Sequence, residues 1–463
     1  MPGWDKAQVL IKTECEQSIE EGKDPAAVEA LRAECAAAGD DAARLQQLHG
    51  KFLALPVRAD FGFEEPSDLE NIRRLRPANR RPLTVSRAVS DLADKLHGAW
   101  LGRCVGCALG KPVEAYMGQR NGLRSWERQR AYLTAIAPDE WPLRDYYPAR
   151  SPAGELAGEL MCPQSTREHI AFMETDDDIR YTVLGQIILE QHGRDFTTLH
   201  VAREWLKRLT YIQVCTAETQ AYRNLTERYE FHINATPAAD IDWHWVATRF
   251  NPFREWIGAQ IRVDSYGYAA PGNPELAAEF AWRDARLSHV KNGIYGAMFC
   301  AAMIAAAFAT DDPAAIIEAG LAEIPATSRL YADVRRAVEI CQRHGCDAAR
   351  FEAVFGEIYD LLGHYSPVHT NNNAAMCAAT LLLSGGDFAK GVTLAVMGGW
   401  DTDCNGATVG SMVGAISGAT RAPAHWTARL HDTLNAELAG YHPIAISECA
   451  KRSLNVAQAI LPV

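Results

Sequence analysis

Apolar side chains recur along most of this chain at the three- and four-residue intervals that place them on one face of a helix. Leu184, Ile187 and Ile188 form one such stripe, and comparable patterns run through residues 276–309 and 374–397. Runs of alternating β-branched residues, which would predict strands, are lacking. The pattern therefore predicts an all-α fold. Its most apolar stretch, Gly293 to Ala309, is short and Ala-rich for a membrane span, and we expect a buried helix there.

The first 82 residues predict a helical appendage followed by a linker. Residues 1 to about 80 are charged and rich in Ala and Glu, with apolar positions at helical intervals between Val28 and Leu45. The stretch 71–82 is basic and contains two prolines, which favours an exposed connector, although its arginines could instead approach an anionic substrate. The main domain is then expected at 83–463. Two segments within it, 116–169 and 229–274, are rich in Trp, Tyr, Pro and Gly and predict long irregular excursions.

The composition limits the classes of partner. A formal net charge of −12 argues against binding to nucleic acid, because such surfaces need clustered Lys and Arg. The first residues show no basic segment followed by an apolar run, so we expect a cytoplasmic protein with no membrane partner. The twelve cysteines are then expected to be reduced, and the lone pair Cys104 and Cys107 is weak evidence for zinc or redox chemistry. The oligomeric state is left open.

Two series of glycines repeat every fourth residue. The first runs from Gly98 to Gly110 and the second from Gly406 to Gly418. A glycine inside a helix costs about 1 kcal/mol relative to alanine, so four in register need a compensating cause. Four-residue spacing keeps them on one face, where another backbone can approach closely. We therefore predict helices packed through bare ridges rather than Gly-rich loops. Each series lies beside an acidic motif.

The acidic motifs are METDDDIR at 173–180 and WDTDCNGAT at 400–408. Taken alone, the first is a good helix start, because Thr can cap and acids in the first turn favour the positive end of the helix dipole. Asp401 and Asp403 could likewise form a turn. Taken together, the two motifs could face each other around a pair of cations, since Mg²⁺ prefers carboxylate and hydroxyl oxygens. Without cations, such a cluster would repel itself.

Four segments in a fixed order carry a resemblance to a known family. LGRCVGCALGKPVE ends at Glu114, TDDD begins at Thr175, DARLSH ends at His289, and WDTDCNGATVG begins at Trp400. Over roughly residues 90–420 this order resembles the ADP-ribosylglycohydrolase family, which includes dinitrogenase-reductase-activating glycohydrolases and ADP-ribosyl-acceptor hydrolases. The resemblance implies a compact orthogonal multi-helix domain and two Mg²⁺ ions, with Mn²⁺ as a possible substitute. It also implies hydrolysis of an N- or O-glycosidic bond at the anomeric carbon of ADP-ribose.

The resemblance assigns roles to individual residues. Those matched to metal ligands are Thr175, Asp176, Asp177, Asp401, Asp403 and Cys404. Those matched to the catalytic carboxylates are Glu114, Asp177 and Asp401. Two positions depart from the family pattern, which often has Asp where this chain has Cys107 and commonly has Ser or Thr where it has Cys404. A thiol is a poor Mg²⁺ ligand, so we expect the second ion to be held more loosely or by other oxygens.

Four further residues are assigned to substrate binding: Ser288, His289, Asn371 and Gly399. Ser288 and His289 match a polar pair in the family, although a histidine at a helix entrance is often a structural hydrogen-bonding group. Asn371 begins an Asn triplet that could cap a helix or bind ribose or phosphate.

Three functions remain open at this point. The first is removal of ADP-ribose from a modified protein or small conjugate. The second is hydrolysis of a nucleoside or another N-riboside in specialised metabolism, for which the aromatic excursions would form a pocket lid. The third is a non-catalytic ADP-ribose-binding protein, against which the intact acidic motifs count.

Overall fold

The computed structural model describes residues 6–80, 91–229, 232–233 and 235–461. Helices make up most of this part of the chain, which confirms the predicted all-α class. Strands in the described residues form one two-stranded antiparallel sheet, β1 (Thr433–Leu434) with β2 (Ile444–Ala445), in which Thr433 lies opposite Ala445. The predicted domain boundary between residues 82 and 83 lies outside the described residues.

The N-terminal region contains α1 (Ala7–Glu20), α2 (Pro25–Ala38), α3 (Ala42–Ala54) and α4 (Leu69–Arg74). The helices that follow are α5 (Leu92–Gly110), α6 (Ser125–Thr134), α7 (Gly154–Ala157), α8 (Asp177–His192), α9 (Thr198–Arg208), α10 (Ala217–Tyr229), α11 (Trp243–Thr248), α12 (Asp264–Ala269), α13 (Pro274–Ala285), α14 (Lys291–Ala307), α15 (Pro313–Leu321), α16 (Arg329–Arg343), α17 (Phe351–Leu362), α18 (Thr370–Ser384), α19 (Phe388–Met397), α20 (Thr402–Ser417), α21 (Ala424–Thr427) and α22 (Ile446–Ile460). Short 3₁₀ helices connect several of them, including Lys111–Tyr116 and Ile257–Arg262.

The core is built around α14. Every residue of this helix except Lys291 is buried, and it packs against α12, α13, α15, α18 and α20. The buried helix predicted between Gly293 and Ala309 is found as far as Ala307, whereas Ala309 follows the helix and is exposed. The helix has no polar face, so it is not amphipathic as predicted. The same holds for the middle of α8, where Leu184, Ile187 and Ile188 are buried together with their neighbours on every side. Among the described helices, none is long and apolar enough to cross a membrane.

The two glycine series pack against each other along α5 and α20. A Cβ built on Gly98, Gly102 or Gly106 would overlap the carbonyl oxygen of Gly414, Gly410 or Gly406, respectively. The partner number falls by four each time the first rises by four, so the helices are antiparallel and in backbone contact. Gly418 differs from the prediction, because it caps α20 with a positive φ of 72° and lies against Asp94. The bare ridges therefore set the C-terminal end of α5 beside the N-terminal end of α20.

The segments 116–169 and 229–274 are more helical than expected. They contain α6 and α7, and α11 and α12, together with the 3₁₀ turn Ile257–Arg262. Aromatic side chains there serve packing: Tyr266 and Tyr268 are fully buried, and their hydroxyls bond to Asp284 and Ser411. The described helices of these segments thus interrupt the predicted irregular stretches, and Tyr266 and Tyr268 belong to the core.

The appendage is docked onto the rest of the chain by buried ion pairs. Helices α1 to α3 enclose a small apolar core of their own. Arg254 makes a bidentate pair with Glu14 (2.7 and 2.8 Å) and a further bond to Glu21 (2.7 Å). Arg76, in the stretch expected to be an exposed connector, is 8% exposed and pairs with Glu323 at 2.6 Å. Arg76 therefore fixes this stretch to the rest of the chain and is not solvated.

Candidate active site

The two acidic motifs lie at the N-termini of two buried helices. Asp176 is the N-cap of α8, where its Oδ1 accepts a hydrogen bond from the backbone N–H of Asp178 (3.0 Å). Thr175 was the expected cap, but its Oγ1 instead accepts a bond from Arg180 (3.0 Å). Asp401 is the N-cap residue of α20, yet its side chain makes no capping bond. Capping therefore accounts for Asp176 and leaves Asp401 to be explained.

The contact between α5 and α20 brings Glu114 to the second motif. A Cβ on Gly110, the last residue of α5, would overlap the backbone of Thr402, and Thr402 Oγ1 donates a hydrogen bond to the Gly110 carbonyl (2.8 Å). The chain then turns through the 3₁₀ helix Lys111–Tyr116. This turn places a carboxylate oxygen of Glu114 within 4.8 Å of ligand atoms on Asp401 and Asp403.

The carboxylates form a continuous cluster. In the part of the chain that the structure describes, three groups have ligand atoms that all lie within 4.8 Å of one another: Glu114, Asp401 and Asp403; Asp178, Asp403 and Cys404; and Asp176, Asp177 and Asp178. Asp403 is common to the first two groups and Asp178 to the last two. The predicted meeting of the two motifs is therefore found, and Asp178, which was not among the predicted ligands, joins them.

Asn373 holds the second motif in place. Its Oδ1 accepts hydrogen bonds from the backbone N–H of Asp401 (3.3 Å) and from Asn405 Nδ2 (2.8 Å). Its Nδ2 in turn donates to the carbonyls of Pro367 and His369, both at 2.8 Å. The amide thus ties the start of α20 to the start of α18. This residue belongs to the Asn triplet noted in the sequence, but the one assigned there to substrate binding was its neighbour Asn371.

Gly399 and Trp400 form a tight turn into the second motif. Both have positive φ, 78° and 57°. A Cβ on Gly399 would overlap the Tyr359 hydroxyl, so only glycine fits here. The ring of Trp400 stacks on Tyr359 at 4.0 Å between centroids, and its backbone N–H donates to Ser125 Oγ (3.0 Å). Gly399, predicted to bind substrate, is buried, and its contacts in this structure are those of a turn.

Two positively charged side chains, those of Lys111 and Arg103, contact the carboxylate cluster. Lys111 Nζ lies 3.2 Å from Asp176 and also donates to the carbonyl of Thr175. Arg103 is fully buried and lies 3.1 Å from Asp178 and 2.9 Å from Asp264. These two positive charges are fewer than the carboxylates around them, since Arg103 is shared by Asp178 and Asp264. The cluster therefore keeps an excess of negative charge.

The excess negative charge, together with burial, raises the pKa values of carboxyl groups in the cluster. Asp403 and burial raise the pKa of Glu114 well above its ordinary value. Burial, followed by repulsion from Asp176, raises the pKa of Asp403 to about 7 and that of Asp177 to about 6. Burial and Asp403 together raise the pKa of Asp401 strongly. Each shift has the direction expected when carboxylates share a poorly solvated site without enough positive charge.

The donor set fits hard divalent cations. Asp403 is 3% exposed, and its Oδ1 has no hydrogen-bond partner among the described residues, although a buried carboxylate oxygen normally has one. Carboxylate oxygens from two helix N-termini lie within 4.8 Å of an Asp403 oxygen, and carboxylate oxygens are the ligands that Mg²⁺ and Mn²⁺ prefer. A bound cation would give Asp403 Oδ1 a partner and relieve the mutual repulsion.

Ser288 and His289 are both fully buried. Ser288 Oγ and His289 Nδ1 are 2.8 Å apart, and the same nitrogen lies 3.9 Å from Glu218. Glu218 pairs with Arg262, and burial, with a smaller contribution from the charge of Asp177, raises the pKa of Glu218 to about 7. The predicted polar pair therefore faces Glu218, a carboxylate that the sequence did not single out.

Asn371 lies in a different set of contacts. Its Nδ2 donates to Asp333 Oδ2 (2.9 Å) and to the Tyr365 hydroxyl (3.2 Å), and its side chain is fully buried. Neither partner belongs to the three acidic groups. The structure therefore gives Asn371 a packing role at the start of α18.

Four residues to which the sequence analysis assigned no role contribute to the site: Arg103, Lys111, Asp178 and Asn373. Lys111 and Arg103 both lie inside the LGRCVGCALGKPVE motif, and Asp178 is the last letter of TDDD. A search for cations able to partner the acids would have selected Lys111, three residues before Glu114. The pairing of Arg103 with Asp178 and Asp264 depends on tertiary contacts.

The match to a family model agrees with the resemblance seen in the sequence. A family model described as ADP-ribosylglycohydrolase matches residues 88–455, which is most of the chain. A solved structure described as an "ADP-ribosylglycohydrolase-related protein complex" is 19% identical, with a TM-score of 0.49, and the match covers 80% of this chain and 99% of that one. A comparison with curated proteins finds no match. On the extent of the family match, this chain belongs to the ADP-ribosylglycohydrolase family.

Proposed function

We propose that this protein is a magnesium-dependent hydrolase that cleaves the N- or O-glycosidic bond at the anomeric carbon of ADP-ribose, in an ADP-ribosylated protein or a small conjugate. One observation carries the proposal: Glu114 and the two acidic motifs meet in one cluster, in a member of a glycohydrolase family. The buried Asp403 Oδ1, which has no hydrogen-bond partner among the described residues, supports a metal centre.

The proposed metal ligands are Thr175, Asp176, Asp177, Asp401 and Asp403, with Cys404 at the edge of the set. When bound, divalent cations would orient the sugar hydroxyls and lower the pKa of a water molecule. Mn²⁺ is the expected substitute, because it accepts the same oxygen ligands. Thr175 would need to share its Oγ1 with Arg180, which now donates to it.

Glu114 is the residue best suited to move the proton. It is half-buried, whereas Asp401 and Asp403 are buried, so its carboxylate lies at the edge of the cluster that substrate can reach. The pKa of Glu114 is raised by Asp403, so its carboxylate is a stronger base than an ordinary Glu. We propose that Glu114 takes a proton from the attacking water, with Asp177 and Asp401 completing the catalytic set. Their negative charge would stabilise positive charge developing on the ribose ring.

Ser288 and His289 are fully buried, so we propose that they do not contact the substrate directly. Their proposed role in substrate binding is indirect: they orient Glu218. The burial of Asn371 and Gly399 favours the same indirect role for these residues, which hold the starts of α18 and α20 in position.

A substrate panel under metal control tests the proposal. The purified full-length chain is incubated with ADP-ribosyl-arginine, ADP-ribosyl-serine and simple nucleosides, with Mg²⁺ or with a chelator, and released ribosyl products are quantified. We expect Mg²⁺-dependent release of ADP-ribose. Release of ribose from nucleosides alone would establish the N-riboside hydrolase instead, and tight ADP-ribose binding without turnover of any conjugate would establish the non-catalytic binder.

A matched pair of variants tests the site. Asp403→Asn should abolish turnover and weaken Mg²⁺ binding, with helix content by circular dichroism unchanged. The control is Asp139→Asn, at an exposed acid in the 3₁₀ helix Pro138–Glu140, which should keep the activity of the unaltered chain. Full activity of Asp403→Asn would refute the proposed centre.

A further inference from the structure

Cys404 adds a sulfur atom to an otherwise oxygen-rich centre. Its Sγ lies 3.1 Å from Asp178 Oδ2, to which it donates a hydrogen bond, and it shares a ligand-atom group with Asp178 and Asp403. The residue is 5% exposed, so bulk water has little access to it. One sulfur atom and two carboxylate oxygens, all potential metal ligands, therefore lie close together at a buried position.

The other two members of this group are already oriented. Arg103 bonds Asp178 through Oδ1, which leaves Oδ2 directed to Cys404. Asp403 contributes an oxygen to this group and to the group with Glu114 and Asp401, while its Oδ1 lacks a hydrogen-bond partner in the described part of the chain. A cation bound by Asp403 in this group would offset the local negative charge and could supply the partner that its buried Oδ1 lacks.

The donor chemistry selects the class of ion. Mg²⁺ binds oxygen and is rarely held by sulfur, whereas thiolates favour softer ions such as Zn²⁺. Zn²⁺ accepts both thiolate and carboxylate ligands in tetrahedral sites, with bonds of about 2.3 Å to sulfur and about 2.1 Å to oxygen, so neighbouring ligand atoms lie about 3.6 Å apart. The observed separation of 3.1 Å between Cys404 Sγ and Asp178 Oδ2 is within a small side-chain movement of that value.

We infer that Asp178, Asp403 and Cys404 bind a thiophilic divalent ion of the Zn²⁺ class, beside a hard-cation position formed by Glu114, Asp401 and Asp403. The centre would then be mixed, with Asp403 as the carboxylate common to both ions. This inference rests on the metal-dependent function proposed above. On binding, the S–H bond of Cys404 breaks, a sulfur–metal bond forms, and the proton leaves to water.

Cobalt spectroscopy of the metal-free, full-length chain tests this assignment, because Co²⁺ substitutes for Zn²⁺ and shows a thiolate-to-metal absorption band in the near-ultraviolet. We expect a band that saturates at one Co²⁺ per chain, is displaced by Zn²⁺ and is not displaced by Mg²⁺. Cys404→Ser should lose the band and weaken Zn²⁺ binding by roughly 100-fold or more, since even outer-shell partners change metal affinity by about 10- to 100-fold. Cys107→Ser is the control and should keep the band.

A second measurement uses the unaltered chain and does not depend on the folding of a variant. Zn²⁺ should slow the labelling of Cys404 by a thiol reagent, followed by peptide mass spectrometry, whereas Mg²⁺ should not. Absence of the cobalt band, its survival in Cys404→Ser, or its loss in Cys107→Ser would overturn the inference. If Mg²⁺-dependent hydrolysis is found without the cobalt band, this inference fails and the proposed function stands. If the band is found without hydrolysis of any ADP-ribose conjugate, the proposed function fails and the assignment of the thiophilic ion stands.

Discussion

Gly106 and Gly406 face each other so closely that a Cβ on either would overlap the backbone of the other. Gly106 precedes Glu114 by eight residues, and Gly406 lies within the second acidic motif, three residues after Asp403. The separation of α5 and α20 thus sets the separation of the carboxylates, and the bare ridge is part of the construction of the site.

Gly106→Ala should therefore destabilise the protein. Added volume in a packed interior costs about 1–3 kcal/mol, and backbone cannot move aside as a flexible side chain does. The control is Gly50→Ala in α3, where nothing lies within 4 Å of the new Cβ. Because alanine has the higher helix propensity, Gly50→Ala should stabilise by up to about 1 kcal/mol. Urea unfolding measures both; equal stability of Gly106→Ala and the unaltered chain would contradict the close contact.

Stabilisation by Mg²⁺ should grow as the pH rises. The pKa values of Asp177 and Asp403 are raised to about 6 and about 7, above an ordinary value of 3.8. In the metal-free protein their contribution to stability is therefore greatest below about pH 3.8 and is lost as the pH rises through 6 and 7. A cation bound only by the folded state reverses that loss. The thermal midpoint should thus rise more on Mg²⁺ addition at pH 8 than at pH 5.

The Asp403→Asn variant provides the internal control for this pH dependence. Removing one of the repelling charges should raise the stability of the metal-free protein at pH 8 by about 1–2 kcal/mol, as is common where an active site is strained. The same variant should lose most of the Mg²⁺-induced rise in thermal midpoint. A Mg²⁺ effect that is equal at pH 5 and pH 8 would count against the cluster as the binding site.

Arg103→Met should be strongly destabilising. It would leave Asp178 and Asp264 buried without their shared cation, and breaking a buried ion pair from one side costs about 3–5 kcal/mol. The matched control is Arg343→Met, whose partner Glu357 is 40% exposed, where a change within about 1 kcal/mol is expected. Guanidinium chloride unfolding distinguishes the two, and similar losses for both variants would show that Arg103 is not a central charge.

Arg254→Met should loosen the appendage. Glu14 is fully buried, and Arg254 is its bidentate partner, so the variant leaves an uncompensated carboxylate between α1 and the domain. Limited proteolysis should then cut within residues 7–54 much faster than in the unaltered chain. Lys51→Met, which removes an exposed pair with Glu34 inside the appendage, is the control and should leave the cleavage rate unchanged.

Much of the architecture could be read from local pattern. The all-α class, the buried helix at Gly293–Ala309 and the bare glycine ridges all follow from spacings of three and four residues, which helix geometry translates directly into faces. The family followed from the order of four motifs. Local pattern failed where capping had two candidates: Thr175 was the expected N-cap, and Asp176 takes that position.

The hydrogen-bond and ion-pair partners of the polar and charged residues depended on tertiary structure. Asn371 and Asn373 are equivalent as letters in a triplet, yet only Asn373 contacts Asp401, because its direction depends on how α18 packs against α20. The arginine at position 76 was expected in solvent and instead pairs with Glu323, nearly 250 residues away.

The sequence alone therefore determined the helices, the family and the residue types of the site. Tertiary packing decided that Asp403 belongs to two groups, that Asp178 joins them and that Cys404 points to Asp178. The reason is one of range. Helical periodicity is set by hydrogen bonds four residues apart, whereas the position of a side chain relative to another 200 residues away depends on which helix faces pack together.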